Sequence, residues 1–234
     1  GERCDGGKFV SDAKEKGAAA VMLQTDAGPA GLPGDFPVIC VKDSRLGLGE
    51  LAAYWRSRFS LPVIGVTGSN GKTTTKEMIA AILRVAASGD AIVNDPAERV
   101  LATAGNLNND IGVPQMLLRL RQQHRYAVIE MGMNHVGEIA YLTRLARPDI
   151  AVITNAGTAH IEGLGSVEAV ARAKAEIFAG LDRSGTAIIN ADDQYAPLWR
   201  ECAGAREIID FGLTESARVS AVYQLGRLVS TLQL

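Results

Sequence analysis

One glycine-rich segment, "GVTGSNGKTTTKEM" at residues 65–78, has the residue types and spacing of a phosphate-binding loop. Gly68 and Gly71 let the backbone bend so that successive N–H groups point at phosphate oxygens. Lys72 is placed to reach the outer phosphates, and Thr73 to offer its hydroxyl to Mg²⁺. Position 66 is Val, so the match is to TGxxGK[ST] and not to the strict Walker pattern. The other predicted nucleotide-binding residues of the segment are Ser69, Asn70 and Thr74. The alternative to a phosphate-binding loop is an ordinary glycine-rich turn that opens a helix.

Polar residues also follow other segments that have the pattern of buried strands. Glu130 ends "YAVIE", where a carboxylate can hold Mg²⁺ directly or through water, or can simply be solvated. His160 lies in "TNAGTAHIEGLG", the loop after the next predicted strand. It is either a ligand or an ordinary surface residue. Asn190 ends "TAIIN", and its amide either reads an adenine edge or takes part in a turn. Because ligands of a doubly wound sheet gather at the carboxyl ends of the strands, all three are candidate site residues.

An asparagine-rich loop, "GNLNNDIGVP" at residues 105–114, precedes a proline. The motif by itself indicates only a loop. Its density of amide groups favours a bound ligand, so Asn106, Asn108 and Asn109 are the candidate substrate-binding residues.

A lysine stands on the apolar side of the helical pattern "VEAVARAKAEIFAGL", residues 167–181. At about 100° per residue, Lys174 falls among Val170, Ile177 and Phe178, where a bare ammonium is unfavourable. Such a lysine can extend its amine to solvent or pair with a carboxylate. Alternatively, desolvation favours the neutral amine, which can add CO₂ and become a carbamate able to bind a hard cation. The residues alone leave both interpretations open.

Alternating strand and helix patterns must position these residues. From residue 62 onward they predict a parallel sheet with helices on both sides, and the tail "SAVYQLGRLVSTLQL" predicts an antiparallel hairpin. The segment "ASGDAIVNDPAERVLATAG", residues 87–105, is expected to be a surface excursion. Residues 1–60 have the pattern of a partial small α/β domain, and residues 61–234 that of a larger one. The fold class predicted is therefore α/β.

Composition narrows the function classes. The 234 residues carry 24 basic and 26 acidic side chains, a net charge of −2, so no positive excess favours nucleic acid or membrane surfaces. No apolar run approaches the roughly 18 residues of a membrane span. Three scattered cysteines without metal-ligand spacing suit a reducing cytoplasm. The opening "GERCDGGKF" lacks Met and a signal region, so we expect a fragment of a longer, cytoplasmic protein. We also expect the protein to be a monomer.

Five motifs in order resemble the Mur ligases: "TGSNGKTTTKEM", "NLNNDIGVP", "YAVIEMGMNHVGEIAYL", "AHIEGLGSVEAVARAKAEIF" and "NADD". The resemblance implies a P-loop-type central ATPase domain after a partial UDP-substrate domain, without the C-terminal ligase domain. It also implies ATP and Mg²⁺ as cofactors and an ADP-forming reaction through an acyl phosphate. "NLNNDIGVP" favours the branch that joins UDP-N-acetylmuramoyl-tripeptide to D-alanyl-D-alanine in peptidoglycan synthesis.

Site roles can be carried over by matching position. The resemblance implies that Thr73 and Glu130 hold a first Mg²⁺, and that His160 and a carbamylated Lys174 hold a second. Asn190 matches the adenine-reading residue, and Lys72 acts on the transferring phosphoryl group. The chain departs from the family at Lys8, where a histidine is usual, and in the longer connector at residues 86–104.

Other functions are compatible with parts of this pattern. One is a sister ligase, either another Mur enzyme or a folylpolyglutamate synthetase, which "NLNNDIGVP" disfavours. Another is a non-catalytic nucleotide-binding module, since the fragment alone is expected to bind ATP with little or no ligase activity. A P-loop kinase or GTPase is disfavoured because no guanine-reading "NKxD" is present.

Overall fold

The chain forms two compact units, Gly1–Leu51 and Ala52–Leu234. The computed structural model describes residues 6–24, 36–87, 96–159, 161–213, 217–225 and 230–233.

The smaller unit pairs short helices with two parallel strands. A 3-10 turn at Gly6–Phe9 leads into helix α1, Val10–Glu15. Strand β1, Val21–Gln24, pairs in parallel with strand β2, Val38–Val41. Helix α2, Ser44–Ser57, follows, and the Asp43 carboxylate accepts the Arg45 N–H at 2.7 Å and the Leu46 N–H at 3.0 Å. This side-chain cap starts the helix by satisfying amides that have no partner within it.

The larger unit begins within α2, whereas the sequence predicts a boundary between residues 60 and 61. Ala52 is fully buried in the core of this unit, and Trp55 and Phe59 pack against the same core. The indole N–H of Trp55 donates to the Leu120 carbonyl at 3.1 Å. The last turns of α2 therefore belong to the larger unit.

The larger unit is built on one parallel sheet, which confirms the predicted fold class. Among the described residues its seven strands stand in the order β4-β5-β3-β6-β7-β8-β9. Their bounds are β3 Val63–Thr67, β4 Val100–Ala102, β5 Tyr126–Glu130, β6 Ile150–Ile153, β7 Thr186–Asn190, β8 Glu207–Gly212 and β9 Val219–Ser220. The predicted hairpin is also confirmed, as β10 (Val222–Leu225) pairs antiparallel with β11 (Ser230–Gln233).

Helices connect these strands. They are α3 Lys72–Ala87, α4 Gly112–Leu117, α5 Glu138–Ala146, α6 Ile161–Leu164, α7 Val167–Ala175 and α8 Ala196–Ala203. The predicted helix over residues 167–181 changes to a 3-10 turn at Glu176–Gly180. Of the helices in the described part of the chain, none is long and apolar enough to span a bilayer.

Two sequence expectations about these elements need correction. The sequence pattern predicts a helix from His135 to Ala146, but α5 begins at Glu138, because Gly137 adopts a left-handed φ of 88° and the Glu138 carboxylate accepts the N–H of Asn134 at 2.6 Å. The expected surface excursion contains the strand β4, where Val100 is only 4% exposed, and its residues 88–95 lie outside the described residues. A strand of three residues is too short to give a periodic signal.

The sheet separates two apolar clusters because side chains alternate along each strand. On one side, Ala127 and Ile129 of β5 join residues of α4, α5, α7 and α8 in a large core. On the other side, Val128 of β5 joins Ala80 of α3 in a smaller one. We call these the broad face and the α3 face of the sheet.

The side of helix α3 that packs on the sheet overlaps only in part with the one its sequence suggests. The apolar spacing predicts Ile79, Ile82, Leu83 and Ala86 as the inner stripe; Ile79 and Leu83 do pack against the smaller core, but Ile82 is 66% exposed. The fully buried positions are Lys76, Ala80 and Ala87. Because apolar residues lie nearly all round this helix, periodicity alone does not select the packed side.

Candidate nucleotide-binding site

The glycine-rich segment forms a tight loop between β3 and α3. Gly68 has φ of 155° and Gly71 φ of 78°, backbone conformations that side-chain-bearing residues rarely adopt. A Cβ at position 68 would overlap the hydroxyl of Thr154. Both glycines are therefore required by the local backbone, and the loop opens directly into the N-terminus of α3, where free N–H groups and the helix dipole favour an anion.

The loop is fixed from the side by the segment that follows β6. The Thr154 hydroxyl donates to the Asn70 carbonyl at 2.7 Å. The Asn155 side chain accepts the Asn70 N–H at 2.9 Å and donates to the Asn70 carbonyl at 3.0 Å. The Ser69 hydroxyl accepts the Gly157 N–H at 2.8 Å. Sequence reasoning missed Thr154, Asn155 and Gly157; the only signal was their place in the loop with His160.

Lys72 lies at the first position of α3 and turns back over the loop. Its Nζ donates to the Gly68 carbonyl at 2.7 Å and reaches the Ser69 carbonyl at 3.4 Å. Burial lowers the pKa of this ammonium, and the negative charge of Glu130 opposes that shift. The amine therefore lies at the entrance of the loop, where a phosphate would offer it stronger acceptors than two carbonyls.

Glu130 ends β5 and is only 2% exposed. One carboxylate oxygen accepts the Thr73 hydroxyl at 3.0 Å, and the other accepts the Asn108 amide at 2.8 Å. These side chains line a cavity of about 340 Å³ with the phosphate loop, Gly105 and Asn106. The structure thus brings together the predicted phosphate loop, the predicted carboxylate and two of the three predicted loop asparagines.

The donor set fits Mg²⁺. This ion prefers hard oxygen ligands, keeps several waters, and is commonly held by one or two carboxylates together with substrate phosphates. A hydroxyl at Thr73 and a buried carboxylate at Glu130 stand 3.0 Å apart beside the loop, so both can turn from each other to one cation. Their predicted role as Mg²⁺ ligands remains a prediction.

Lys174 is buried on α7, with 1% of its surface exposed. Burial lowers its pKa to about 7, and the positive charge of Lys72 adds to that shift. Among the described residues, no oxygen accepts a hydrogen bond from this amine. The amine is thus largely desolvated, and it lies close enough to Lys72 for the two positive charges to repel each other. His160, its predicted partner at a metal, lies outside the described residues.

The remaining predicted residues have internal partners. The Asn109 side-chain oxygen accepts the N–H of Gly112 at 2.8 Å and so starts α4. The Asn190 amide donates to the Thr154 carbonyl at 2.9 Å, and its oxygen accepts the N–H of Asp192 at 3.0 Å. Asn109 therefore has a clear structural role, and Asn190 supports the loop that holds Ser69 and Asn70. In the smaller unit, Lys8 is exposed.

Strand, glycine-rich loop and helix, with a buried carboxylate at the neighbouring strand end, define a nucleotide-binding α/β protein of the P-loop type. The model of the Mur ligase middle domain matches residues 66–231. The chain belongs to the Mur ligase family, as the motifs predicted.

Individual relatives are similar over nearly the whole chain. UDP-N-acetylmuramoyl-tripeptide–D-alanyl-D-alanine ligase of Escherichia coli K12 is 46% identical over 211 residues, which is 90% of this chain and 43% of that ligase. The crystal structure of MurF from Acinetobacter baumannii superposes with a TM-score of 0.84 at 38% identity, covering 99% of this chain and 50% of that one. MurF ligase of Thermotoga maritima, solved in complex with ADP, gives a TM-score of 0.82 at 30% identity over the same shares. The chain thus spans about half the length of these relatives.

Proposed function

We propose that this chain is the ATP-binding part of an ADP-forming ligase that joins UDP-N-acetylmuramoyl-tripeptide to D-alanyl-D-alanine. The observation that carries the proposal is that Lys72, Thr73 and Glu130 lie together at the carboxyl ends of the neighbouring strands β3 and β5. The chain that bears them is 46% identical to a UDP-N-acetylmuramoyl-tripeptide–D-alanyl-D-alanine ligase. The reaction would supply a peptidoglycan precursor.

The proposed chemistry is two transfers at one carboxyl group. The terminal phosphoryl group of ATP passes to the tripeptide carboxylate, which gives an acyl phosphate and ADP. The amine of D-alanyl-D-alanine then attacks the acyl carbon, and inorganic phosphate leaves as the amide bond forms. Lys72 would move from the loop carbonyls to the transferring phosphoryl group and neutralise its charge, which is where most of the catalysis of such transfers arises. Bound Mg²⁺ would supply further charge neutralisation there.

Lys174 would become an anionic ligand before this reaction begins. A neutral amine attacks CO₂, an N–C bond forms, one proton leaves, and a carbamate results. Burial already favours the neutral amine, because it lowers the pKa of Lys174 to about 7. We propose the carbamate and His160 as ligands of a second Mg²⁺, with Thr73 and Glu130 at the first.

Substrate contacts are proposed for the residues that line the cavity. Asn106 and Asn108 line it together with the phosphate loop, so they are the candidates for contacting the tripeptide end. Asn190 remains the candidate adenine reader, with a side chain already oriented by Thr154 and Asp192. The exposed thiols of Cys40 and Cys202 fit the reducing cytoplasm proposed as its compartment, and a monomer remains a prediction.

The isolated chain supports a second function. Because it spans only 43% of the relative's length, it is expected to bind Mg-ATP without ligating substrates. Substrate-independent ATP binding by the chain alone fits this module; substantial ligation by the chain alone would contradict it.

The test is phosphate release by the full-length protein with Mg-ATP and UDP-tripeptide, with and without D-alanyl-D-alanine. We expect release to require the dipeptide and to fall by roughly 10²–10³-fold in Lys174→Ala, with partial recovery on adding a short-chain carboxylate. Arg172→Ala is the matched control, since its side chain is 62% exposed on the same helix.

Each outcome has a distinct meaning. Release that ignores the dipeptide would show that the substrate assignment is wrong and would favour a sister ligase. A fully active Lys174→Ala protein would show that the lysine has no part in the reaction.

A further inference from the structure

A second buried lysine lies one helical turn beyond the phosphate loop. Lys76 is 1% exposed on the α3 face, among the largest fully buried side chains of the described residues. A well-packed apolar side chain of similar volume would avoid the cost of desolvating an ammonium. The contacts of the Lys76 amine are therefore expected to explain why a lysine occupies this buried position.

The Lys76 amine has two oxygen acceptors. It donates to the Thr103 carbonyl at 2.7 Å, and it pairs with the Glu77 carboxylate at 2.7 Å. Glu77 is 56% exposed, so this pair is screened by water. The bond to Thr103 is buried and connects residues 27 positions apart in sequence, so it is the contact that fixes tertiary structure.

The N–H, the hydroxyl and the carbonyl of Thr103 each make a hydrogen bond. Its N–H donates to the Val128 carbonyl at 3.0 Å, and its hydroxyl accepts the N–H of Glu130 at 2.9 Å. With its carbonyl bound to Lys76, this residue joins the end of β4 to β5 on one side and to α3 on the other. The chain then continues into the loop that carries Asn108.

These contacts close a ring around the proposed Mg²⁺ ligands. Thr73 donates to the Glu130 carboxylate, Glu130 donates through its N–H to Thr103, and Lys76 donates to Thr103. Thr73 and Lys76 stand three residues apart on α3, where side chains share one side of a helix. The ring therefore fixes the helix that carries the hydroxyl relative to the strand that carries the carboxylate.

We propose that Lys76 is a positioning residue that holds Thr73 and Glu130 at the spacing needed for Mg²⁺-dependent nucleotide binding. The inference rests on the proposed function, because it assigns the cation to these two ligands. Lys76 is not among the residues that line the cavity beside the phosphate loop, so it would act through Thr103. Outer partners of metal ligands of this kind typically change metal affinity by about 10- to 100-fold.

The experiment measures ATP binding by calorimetry in the full-length protein across a Mg²⁺ titration. In Lys76→Met, we expect the Mg²⁺ concentration for half-maximal enhancement of ATP binding to rise by about tenfold. Lys76→Arg, which keeps a donor, should recover most of that loss. Glu77→Gln is the matched control, since it removes only the exposed partner, and its shift should stay below about twofold.

A second variant tests the ring at another bond. Thr103→Val removes the acceptor for the Glu130 N–H and should raise the Mg²⁺ requirement in the same direction. The double variant with Lys76→Met should shift it by less than the two single effects combined, because both break one ring. If Lys76→Met fails to fold, Thr103→Val alone decides.

A merely structural role predicts a lower melting temperature with an unchanged Mg²⁺ requirement, and that result would overturn the proposal. So would a Thr103→Val protein with an unchanged Mg²⁺ requirement. Failure of the ligase assignment gives a different signature, because dipeptide-dependent phosphate release would be absent while Mg²⁺-dependent ATP binding by the unaltered protein could still be measured.

Discussion

The two faces of the central sheet each bury one lysine to the same degree, with 1% exposure at Lys76 and at Lys174. On the α3 face, the Lys76 amine meets a carbonyl and a carboxylate, both at 2.7 Å. On the broad face, the Lys174 amine has no acceptor among the described residues, and its pKa falls to about 7. The two lysines are thus equally buried, but among the described residues only the Lys76 amine has hydrogen-bond acceptors.

This difference shows that burial alone does not determine what a lysine does. Where oxygen acceptors surround the amine, its hydrogen bonds join separate elements, as Lys76 joins α3 to the end of β4. Where acceptors are lacking, desolvation favours the neutral amine, and a neutral amine is a nucleophile. Whether a buried lysine positions other elements or reacts as a nucleophile therefore depends on the hydrogen-bond acceptors that the fold places around its amine.

The comparison is tested most strongly by replacing each lysine with methionine and measuring the free energy of unfolding. Lys76→Met leaves the buried Thr103 carbonyl without its donor, so we expect a loss of about 1–3 kcal/mol. Lys174→Met removes an amine without an acceptor, so stability should stay unchanged or rise. The measurement is denaturant unfolding in metal-free, CO₂-depleted buffer.

Equal losses of stability in the two variants would contradict the comparison. In that case burial and side-chain packing, and not the acceptors, would account for both lysines. Lys76→Arg provides the control, since a retained donor should restore part of the loss.

The reactivity of Lys174 should depend on pH in a direction set by its lowered pKa. With a pKa of about 7, the neutral fraction rises as pH increases, from about one tenth at pH 6 to about nine tenths at pH 8. With the concentration of dissolved ¹³CO₂ held the same at each pH, the initial rate of carbamate formation in the metal-free protein should rise about tenfold over this range, measured by ¹³C NMR.

Lys174→Arg should lack this carbamate signal, whereas Lys76→Arg should keep it. A signal that persists in Lys174→Arg, or one that declines from pH 6 to pH 8, would show that Lys174 is not the reactive amine.

The smallest effect is expected from the exposed partner of Lys76. Hydrogen bonding from Lys76 lowers the pKa of Glu77, but the carboxylate is 56% exposed. Glu77→Gln should therefore lower the free energy of unfolding by no more than about 1 kcal/mol. A larger loss in denaturant unfolding would mean that the ion pair, and not the Thr103 carbonyl, is the main partner of Lys76.

Local patterns in the sequence predicted much of the site. Gly68 and Gly71 mark the phosphate loop because few other residues adopt their backbone conformations. Glu130 was found from its place at the end of an apolar run, and the inward position of Lys174 from helical periodicity. The strands at residues 63–67, 126–130 and 186–190 also follow from short apolar runs and have the predicted type.

Other features depend on residues far apart in sequence. Lys76 shows no local signal, because α3 is apolar nearly all round and only packing chose the side that bears the lysine. Asn109 is predicted from the sequence as a substrate contact, and only the structure shows that its oxygen also starts α4. Asn155 holds the phosphate loop from 85 residues away.

The sequence by itself therefore determined the family, the parallel α/β fold, the phosphate loop and the unusual inward place of Lys174. The family follows from the resemblance of five ordered motifs, and the other features follow because turns and periodicity are properties of neighbouring residues. Only the tertiary structure decided which oxygens surround each buried amine. Those oxygens belong to other strands and loops, such as the Thr103 carbonyl that meets Lys76, and no local pattern records which distant segment the fold brings to a side chain.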